Sequence, residues 1–351
     1  MSFMIVPPES PDWDALYQRL PQARNDVFYG PAFAKLAQRT FYPDHDVLAA
    51  ILPTDSGGIL YPFVRRDLKQ LTGHGFAEGL ADISGLYGRG GIVADENSLA
   101  NLPVFHRALE DYCRAQSVIC GFDRFHPILG NETLAAEKST VFSVGQTVSV
   151  DLQALPEDIL SGFKHSARKA VRKAIKLDVR AFVEHGADHL KDFLDIYAET
   201  MDRREANSFF AFSSDFIARA VSELEGAASF FYAEHDGRIV SCELVLHSDW
   251  YGHSFFGGTL REAMPLAANN VLKYEIIRFL KERDCRHFIL GGGHQQEDGI
   301  FKYKLSFAPD GTVPSLVGGT VYDEERYTRL RQCYAENGMT VPQGRFQFYD
   351  Q

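Results

Sequence analysis

The sequence predicts a mixed α/β protein made of two similar halves, each a mostly antiparallel twisted sheet flanked by helices. Three observations lead there. The chain has 351 residues, more than one ordinary domain holds, so two domains with separate cores are expected. The order of strand and helix signals restarts near Gln146. In the second half, two alternating runs flank His235-Asp236-Gly237 and a third follows at once, a spacing that antiparallel strands permit and parallel strands do not.

Taken in order, Phe3 to Val6 reads as a strand, and apolar residues recur at helical spacing from Asp12 to Leu20 and from Pro31 to Arg39. Val47 to Leu52 and Gly58 to Val64 alternate around the turn-rich Pro53-Thr54-Asp55-Ser56-Gly57, which predicts a hairpin. A helix from Ser98 to Gln116 leads to a strand from Val118 to Phe122. The second half opens with strand Thr147 to Leu152, helix Pro156 to Lys176, strand Val179 to Val183 and helices Ala187 to Arg204 and Ser213 to Leu224. Strands Ser229 to Glu234, Arg238 to His247 and Trp250 to Phe256 form the meander. Helix Asn269 to Arg283 then puts Leu272, Ile276, Phe279 and Leu280 on one face and feeds strand Arg286 to Leu290. The expected domains are 1–148 and 149–316, with the strand and helix from about Val317 (317–351) as candidates to return to the first half.

Composition narrows the function. Five cysteines lie scattered, without the CxxC or close Cys/His spacing of a structural zinc, so neither a metal site nor a disulfide framework is expected. The start, MSFMIVPPES, lacks a basic-then-apolar signal pattern, and no apolar run approaches the roughly 20 residues of a membrane-spanning helix. A cytoplasmic location is expected. A net charge of −11 disfavours general affinity for nucleic acid, so a polyanion would have to meet a local basic patch.

Such a patch exists at 164–180, which carries Lys164, Arg168, Lys169, Arg172, Lys173, Lys176 and Arg180 against the single acid Asp178. Helical projection separates these charges from Leu160, Phe163, Ala167, Val171 and Ala174. A solvated helix face is the commonest explanation of such a run. Other distinctive stretches are Leu60-Tyr61-Pro62-Phe63-Val64-Arg65-Arg66, Tyr87-Gly88-Arg89-Gly90-Gly91, Arg124-Phe125-His126-Pro127, Gly291-Gly292-Gly293 and Phe301-Lys302-Tyr303-Lys304-Leu305-Ser306-Phe307.

In their order and spacing these pieces resemble the FemAB-like branch of the GNAT acyltransferase superfamily, which includes peptidoglycan bridge-forming aminoacyltransferases. The resemblance implies two tandem GNAT-like halves and acyl transfer, with acyl-CoA or aminoacyl-tRNA as co-substrate and no bound cofactor. The family's Phe-Lys-x-x-Phe signature aligns as Tyr303-Lys304-Leu305-Ser306-Phe307, placing Lys304 in the lysine position with Lys302 as the off-register rival. The Arg/Gln-x-x-Gly-x-Gly/Ala pyrophosphate loop of ordinary GNAT acetyltransferases is absent, which weighs against CoA.

Acyl transfer needs donor and acceptor held together, an oxyanion stabilised and a proton removed. Lys304 is the candidate for the second task, and His294 and Asp298 (with Glu297) for the third. Gly291, Gly292 and Gly293 let backbone amides approach a donor, which Arg168 and Arg172 could also grip through its phosphates. For the acceptor, Tyr87 and Arg89 offer a stacking ring and a bidentate anion donor. Tyr251 and His253 share a strand face with Phe255. Arg204, at a helix end, and Tyr303 complete the acceptor candidates. Asp95 is a poor candidate base, and His126 reads more readily as a buried, hydrogen-bonded strand histidine.

The leading expectation is transfer of an acyl or aminoacyl group, with tRNA a candidate partner as its carrier, to an amine or hydroxyl of a cell-envelope glycan or peptidoglycan precursor. Two alternatives stand beside it: an acyl-CoA-dependent N-acyltransferase of a small amine or amino sugar, and a non-catalytic binder of glycans or nucleotide-sugars.

Overall fold

The computed structural model describes residues 2–184, 186–203, 207–293, 298–342 and 345–350, with the backbone alone over 207–212. Its contacts divide the chain into two units, Met1–Val144 with Ser315–Gln351, and Gly145–Pro314. In chain order the first unit contains β1 (Met4–Val6), α1 (Pro11–Arg19), α2 (Pro31–Thr40), β2 (Asp46–Pro53), β3 (Gly58–Asp67), α3 (Leu68–Thr72), β4 (Ala81–Ser84), β5 (Val93–Ala94), α4 (Leu102–Ala115) and β6 (Val118–Arg124). The strand β7 (Thr140–Asp151) leads into the second unit. There follow α5 (His165–Lys176), β8 (Arg180–Glu184), α6 (Leu190–Arg203), α7 (Asn207–Glu223), β9 (Ala228–His235), β10 (Arg238–His247), β11 (Tyr251–Thr259), α8 (Ala268–Glu282), β12 (His287–Gly291) and α9 (Gly299–Leu305). The strand β13 (Thr312–Val321) and α10 (Glu324–Glu336) return the chain to the first unit.

Both units repeat one grammar: strand, two helices, three strands, helix, strand. In the first, β1, β2, β3 and β4 pair antiparallel in sequence, β4 pairs parallel with β6, and β13 closes antiparallel on β6. In the second, β8, β9, β10 and β11 pair antiparallel, β11 pairs parallel with β12, and β7 closes antiparallel on β12. The mixed α/β class and its mostly antiparallel sheets therefore match the sequence expectation. The β9–β10 turn is the two-residue Asp236-Gly237, both at positive φ, the backbone that matches strand twist in a tight hairpin.

Two helices begin later than their apolar spacing suggests. The pattern from Ser98 starts as a 3-10 turn, Glu96–Asn101, and becomes α4 at Leu102, because Pro103 has no N–H to continue a ladder through it. The pattern from Pro156 becomes α5 only at His165. Phe163 is extended instead, and its buried ring meets Phe307 edge-on at 5.2 Å. Burying a phenylalanine contributes roughly 1.5–3 kcal/mol, more than the ~1 kcal/mol of a helical hydrogen bond, so packing wins.

In the first unit, α4 covers one sheet face, where Tyr61, Phe63, Ile83, Phe105 and Leu109 form a core. A second core gathers Ile119, Cys120, Leu330, Tyr334 and Phe348 under α10 and the C-terminal residues. A buried charge network ties those residues down. Arg66 donates to Asp82 through Nε (3.0 Å) and Nη2 (2.7 Å) and to Asp350 through Nη1 (2.6 Å). Asp82 also accepts from Gln347 and from the Tyr349 hydroxyl, both at 2.8 Å. Removing one partner of a buried pair strands the other, a cost of about 3–5 kcal/mol. Asp82→Ala should therefore lose about that much stability in urea titration, whereas Tyr349→Phe should lose about 1 kcal/mol. Equal, small losses in both would show that the network does not anchor the C-terminal residues.

Candidate active site

The second unit's sheet has one weak seam. β11 is nine residues long, yet its parallel partner β12 meets it only at Tyr251, Gly252 and His253, opposite His287, Phe288 and Ile289. Beyond His253 the two strands are no longer partners, and β12 ends at Gly291. Gly291 has φ +80, a conformation that residues with a Cβ rarely adopt, and a Cβ there would lie 3.3 Å from Lys304 Nζ. Lys304, on α9, donates from Nζ to the Gly292 carbonyl at 2.7 Å. A half-buried ammonium is thus fixed by backbone at the end of β12, where the seam opens. Lys302 is exposed to solvent, whereas Lys304 is half-buried and bound to backbone.

α9 is held at both ends. Asp298 caps it, accepting from the Phe301 N–H at 2.7 Å, and a Cβ on Gly293 would lie 2.3 Å from that carboxylate. Helix capping accounts for Asp298 as fully as a proton-accepting role does. The Tyr303 hydroxyl donates to the Asn269 carbonyl in the first turn of α8 at 3.0 Å. Burial, reinforced by Glu243, raises its pKa well above the ordinary phenol value, so it stays a donor.

In the first unit, Tyr87 and Arg89 ride on a loop strapped to β6. The Gly85 and Gly90 N–H groups donate to the carbonyls of Phe122 and Arg124, at 2.9 and 2.8 Å. Asp123 accepts the Gly91 N–H at 2.9 Å and the Tyr61 hydroxyl at 3.0 Å. A Cβ on Gly85 or Gly90 would sit 2.7 or 2.9 Å from the Asp123 carboxylate, which explains the glycines. Asn131 and Tyr29 bind the Gly90 carbonyl from the far side. Burial, and then the like charge of Arg124, push Arg89 down to about 10. Asp26 and Tyr29 pull the other way.

With this geometry in hand, comparison with known proteins is informative. Residues 161–305 match the family described as Acetyltransferase (GNAT) domain, a stretch running from the turn before α5 to the end of α9. No curated protein sequence matches the chain. Among solved structures it is similar to FemX, with a TM-score of 0.71 at 13% identity over 95% of this chain and 100% of that one. The chain shares the fold of FemX. It is also similar to a conserved protein of unknown function from Bacteroides thetaiotaomicron (TM-score 0.60, 14% identity, 88% and 96% covered). A third similar structure is L-PGS from Bacillus licheniformis (TM-score 0.54, 12% identity, 88% and 95% covered).

Within this FemX-like fold the remaining sequence candidates separate. Tyr251 and His253 are buried in the paired part of β11, the Tyr251 ring stacked on His287 at 6.0 Å. A bulge opposite Leu244 and Val245 breaks the strict alternation further along. Phe255 and Phe256 consequently both reach Phe216 of α7, where the alternating pattern puts only one of them on that face. Arg168 spends its guanidinium on the carbonyls of Ser161 (3.1 Å) and Phe163 (2.8 Å), securing the turn into α5, while Arg172 is exposed. Arg204 and His294 lie outside the described residues.

His126 is buried, and its Nδ1 accepts two backbone N–H groups at 3.2 Å, so its proton sits on Nε2, facing Asp26 at 3.3 Å. Asp95 accepts from Gly58, Ser98 and Asn97, a turn-building role.

Sequence reasoning missed the buried pair Glu243–Lys273, at 2.5 and 2.6 Å, with Lys273 also donating to Ser254 at 3.1 Å. Its signal was a lone acid in an apolar strand and a lysine beside Leu272 on a core-facing helix. Asp123 was missed as well.

Burial raises the Asp123 pKa from 3.8 to about 6, against the opposing pull of its Tyr61 and Gly91 hydrogen bonds. The fold therefore prefers the protonated acid. That contribution is complete below about pH 4 and is lost as pH rises through about 6. Asp123→Asn, neutral throughout, should match the parent near pH 4 and exceed it by about 1–2 kcal/mol above about pH 7. Urea midpoints across this range test it, and a pH-independent difference would exclude a buried titration at this position.

Proposed function

We propose that the chain is an acyltransferase whose second unit uses Lys304 to stabilise the oxyanion formed when an amine or hydroxyl attacks an acyl carbonyl. The observation that carries this reading is the Lys304 ammonium bound to the Gly292 carbonyl at 2.7 Å, at the seam where β11 and β12 stop pairing. A cation fixed there needs no reorganisation as charge develops, and partial burial strengthens its field relative to bulk water. The GNAT-domain match and the FemX-like fold support the reaction class.

For the donor, aminoacyl-tRNA is favoured over acyl-CoA. The approach to α8 is a 3-10 turn, Arg261–Leu266, containing Pro265 and ending at a left-handed Ala267. Proline lacks the N–H, and the side chains occupy the space, that a glycine-rich pyrophosphate cradle needs. Within the first unit, the Tyr87–Arg89 loop with Arg124 suits a group carrying carboxylate or phosphate. A cell-envelope peptidoglycan precursor has that chemistry, in line with the resemblance to the FemAB-like branch.

Lys304→Ala should lower turnover about 100-fold or more, the order seen for loss of one oxyanion donor, with the melting temperature nearly unchanged. Lys302→Ala should retain activity. Radiolabelled aminoacyl-tRNA and acetyl-CoA, offered in parallel, identify the donor. Full activity of the Lys304 variant on a working substrate pair would remove the lysine from the mechanism.

A further inference from the structure

The helix α5 presents an exposed basic face on the side away from its buried residues. Its sequence, HSARKAVRKAIK, contains five Lys/Arg and no acid. Ala167, Val171 and Ala174 are buried, and on the opposite side Lys169, Arg172, Lys173 and Lys176 are exposed at helical spacing i, i+3, i+4 and i+7. Among the described residues none of these four has an acidic partner, and the nearby Asp178 already pairs with Arg180 at 3.2 Å. The stripe stands out on a chain of net charge −11.

Apolar side chains flank it. Ile175 is 52% and Leu177 39% exposed, one on each border of the basic stripe toward the helix C-terminus. Water offers nothing to either, and neither would phosphates of a nucleic acid, which reward only the cations. An anionic bilayer suits both features, lipid phosphates taking the cations while the apolar pair lies at headgroup level on either side of the stripe. We propose that α5 docks this protein on an anionic lipid surface, lying in the interface with Lys169, Arg172, Lys173 and Lys176 on the headgroups. This inference is independent of the acyltransferase reading.

The test is co-sedimentation of the full chain with vesicles of phosphatidylcholine alone or mixed with phosphatidylglycerol, at low and physiological salt. The protein should bind only the mixed vesicles, more weakly as salt rises. Each cation near an anionic surface contributes about fivefold, so Lys169→Ser with Lys173→Ser should reduce partitioning about 30-fold. Ile175→Ser with Leu177→Ser should reduce it about tenfold at either salt. Thermal melts confirm that both variants fold. No sedimentation with the mixed vesicles at low salt would overturn the proposal. So would indifference to the Ile175/Leu177 change combined with loss of bulk tRNA binding in the Lys169/Lys173 variant, which would make the stripe a nucleic-acid site.

Discussion

The second unit depends on a parallel strand pair that stops after three residues. Antiparallel strands can follow one another through short turns, but β11 and β12 run the same way, so a helix must carry the chain between them. α8 makes that crossing, burying Val271, Leu272, Ile276, Ile277 and Leu280. Where the strands separate, backbone at the end of β12 loses a sheet neighbour, and Gly291 turns the chain with a left-handed φ. Lys304 then takes the Gly292 carbonyl, so the residue that satisfies this backbone group also places a cation at the seam.

Buried charge pairs set the register around this seam and its counterpart in the first unit. Lys273 joins α8 to β10 through Glu243 and to β11 through Ser254, so helix and sheet cannot slide without stranding a charge. Arg66 and Asp82 do the same for β3, β4 and the C-terminal residues. Asp123 differs in kind, since its raised pKa shows that the first unit tolerates its charge poorly while using its oxygens to hold the Gly85–Gly91 loop.

Local pattern made much of this readable. The Asp236-Gly237 hairpin was legible because both residues accept positive φ, and α8 because its apolar residues recur at helical spacing. The loop glycines near Tyr87 were legible as a feature but not as a consequence of Asp123, since a residue about 35 positions later fills the space a Cβ would need. The starts of α4 and α5 were misplaced for opposite reasons. Pro103 acts locally and could have been read, whereas Phe163 leaves the helix for an aromatic contact with Phe307, far along the chain.

The sequence by itself determined the mixed α/β class, the repeated element order and the basic face of α5, because hydrophobic period, turn chemistry and charge spacing are all properties of neighbours along the chain. Tertiary structure alone decided that Lys304 meets Gly292, that Arg168 braces a turn, that Asp298 caps a helix and that Glu243 finds Lys273. Each of those depends on which backbone group or opposite charge arrives from elsewhere, and a buried polar atom takes whatever partner packing brings within reach.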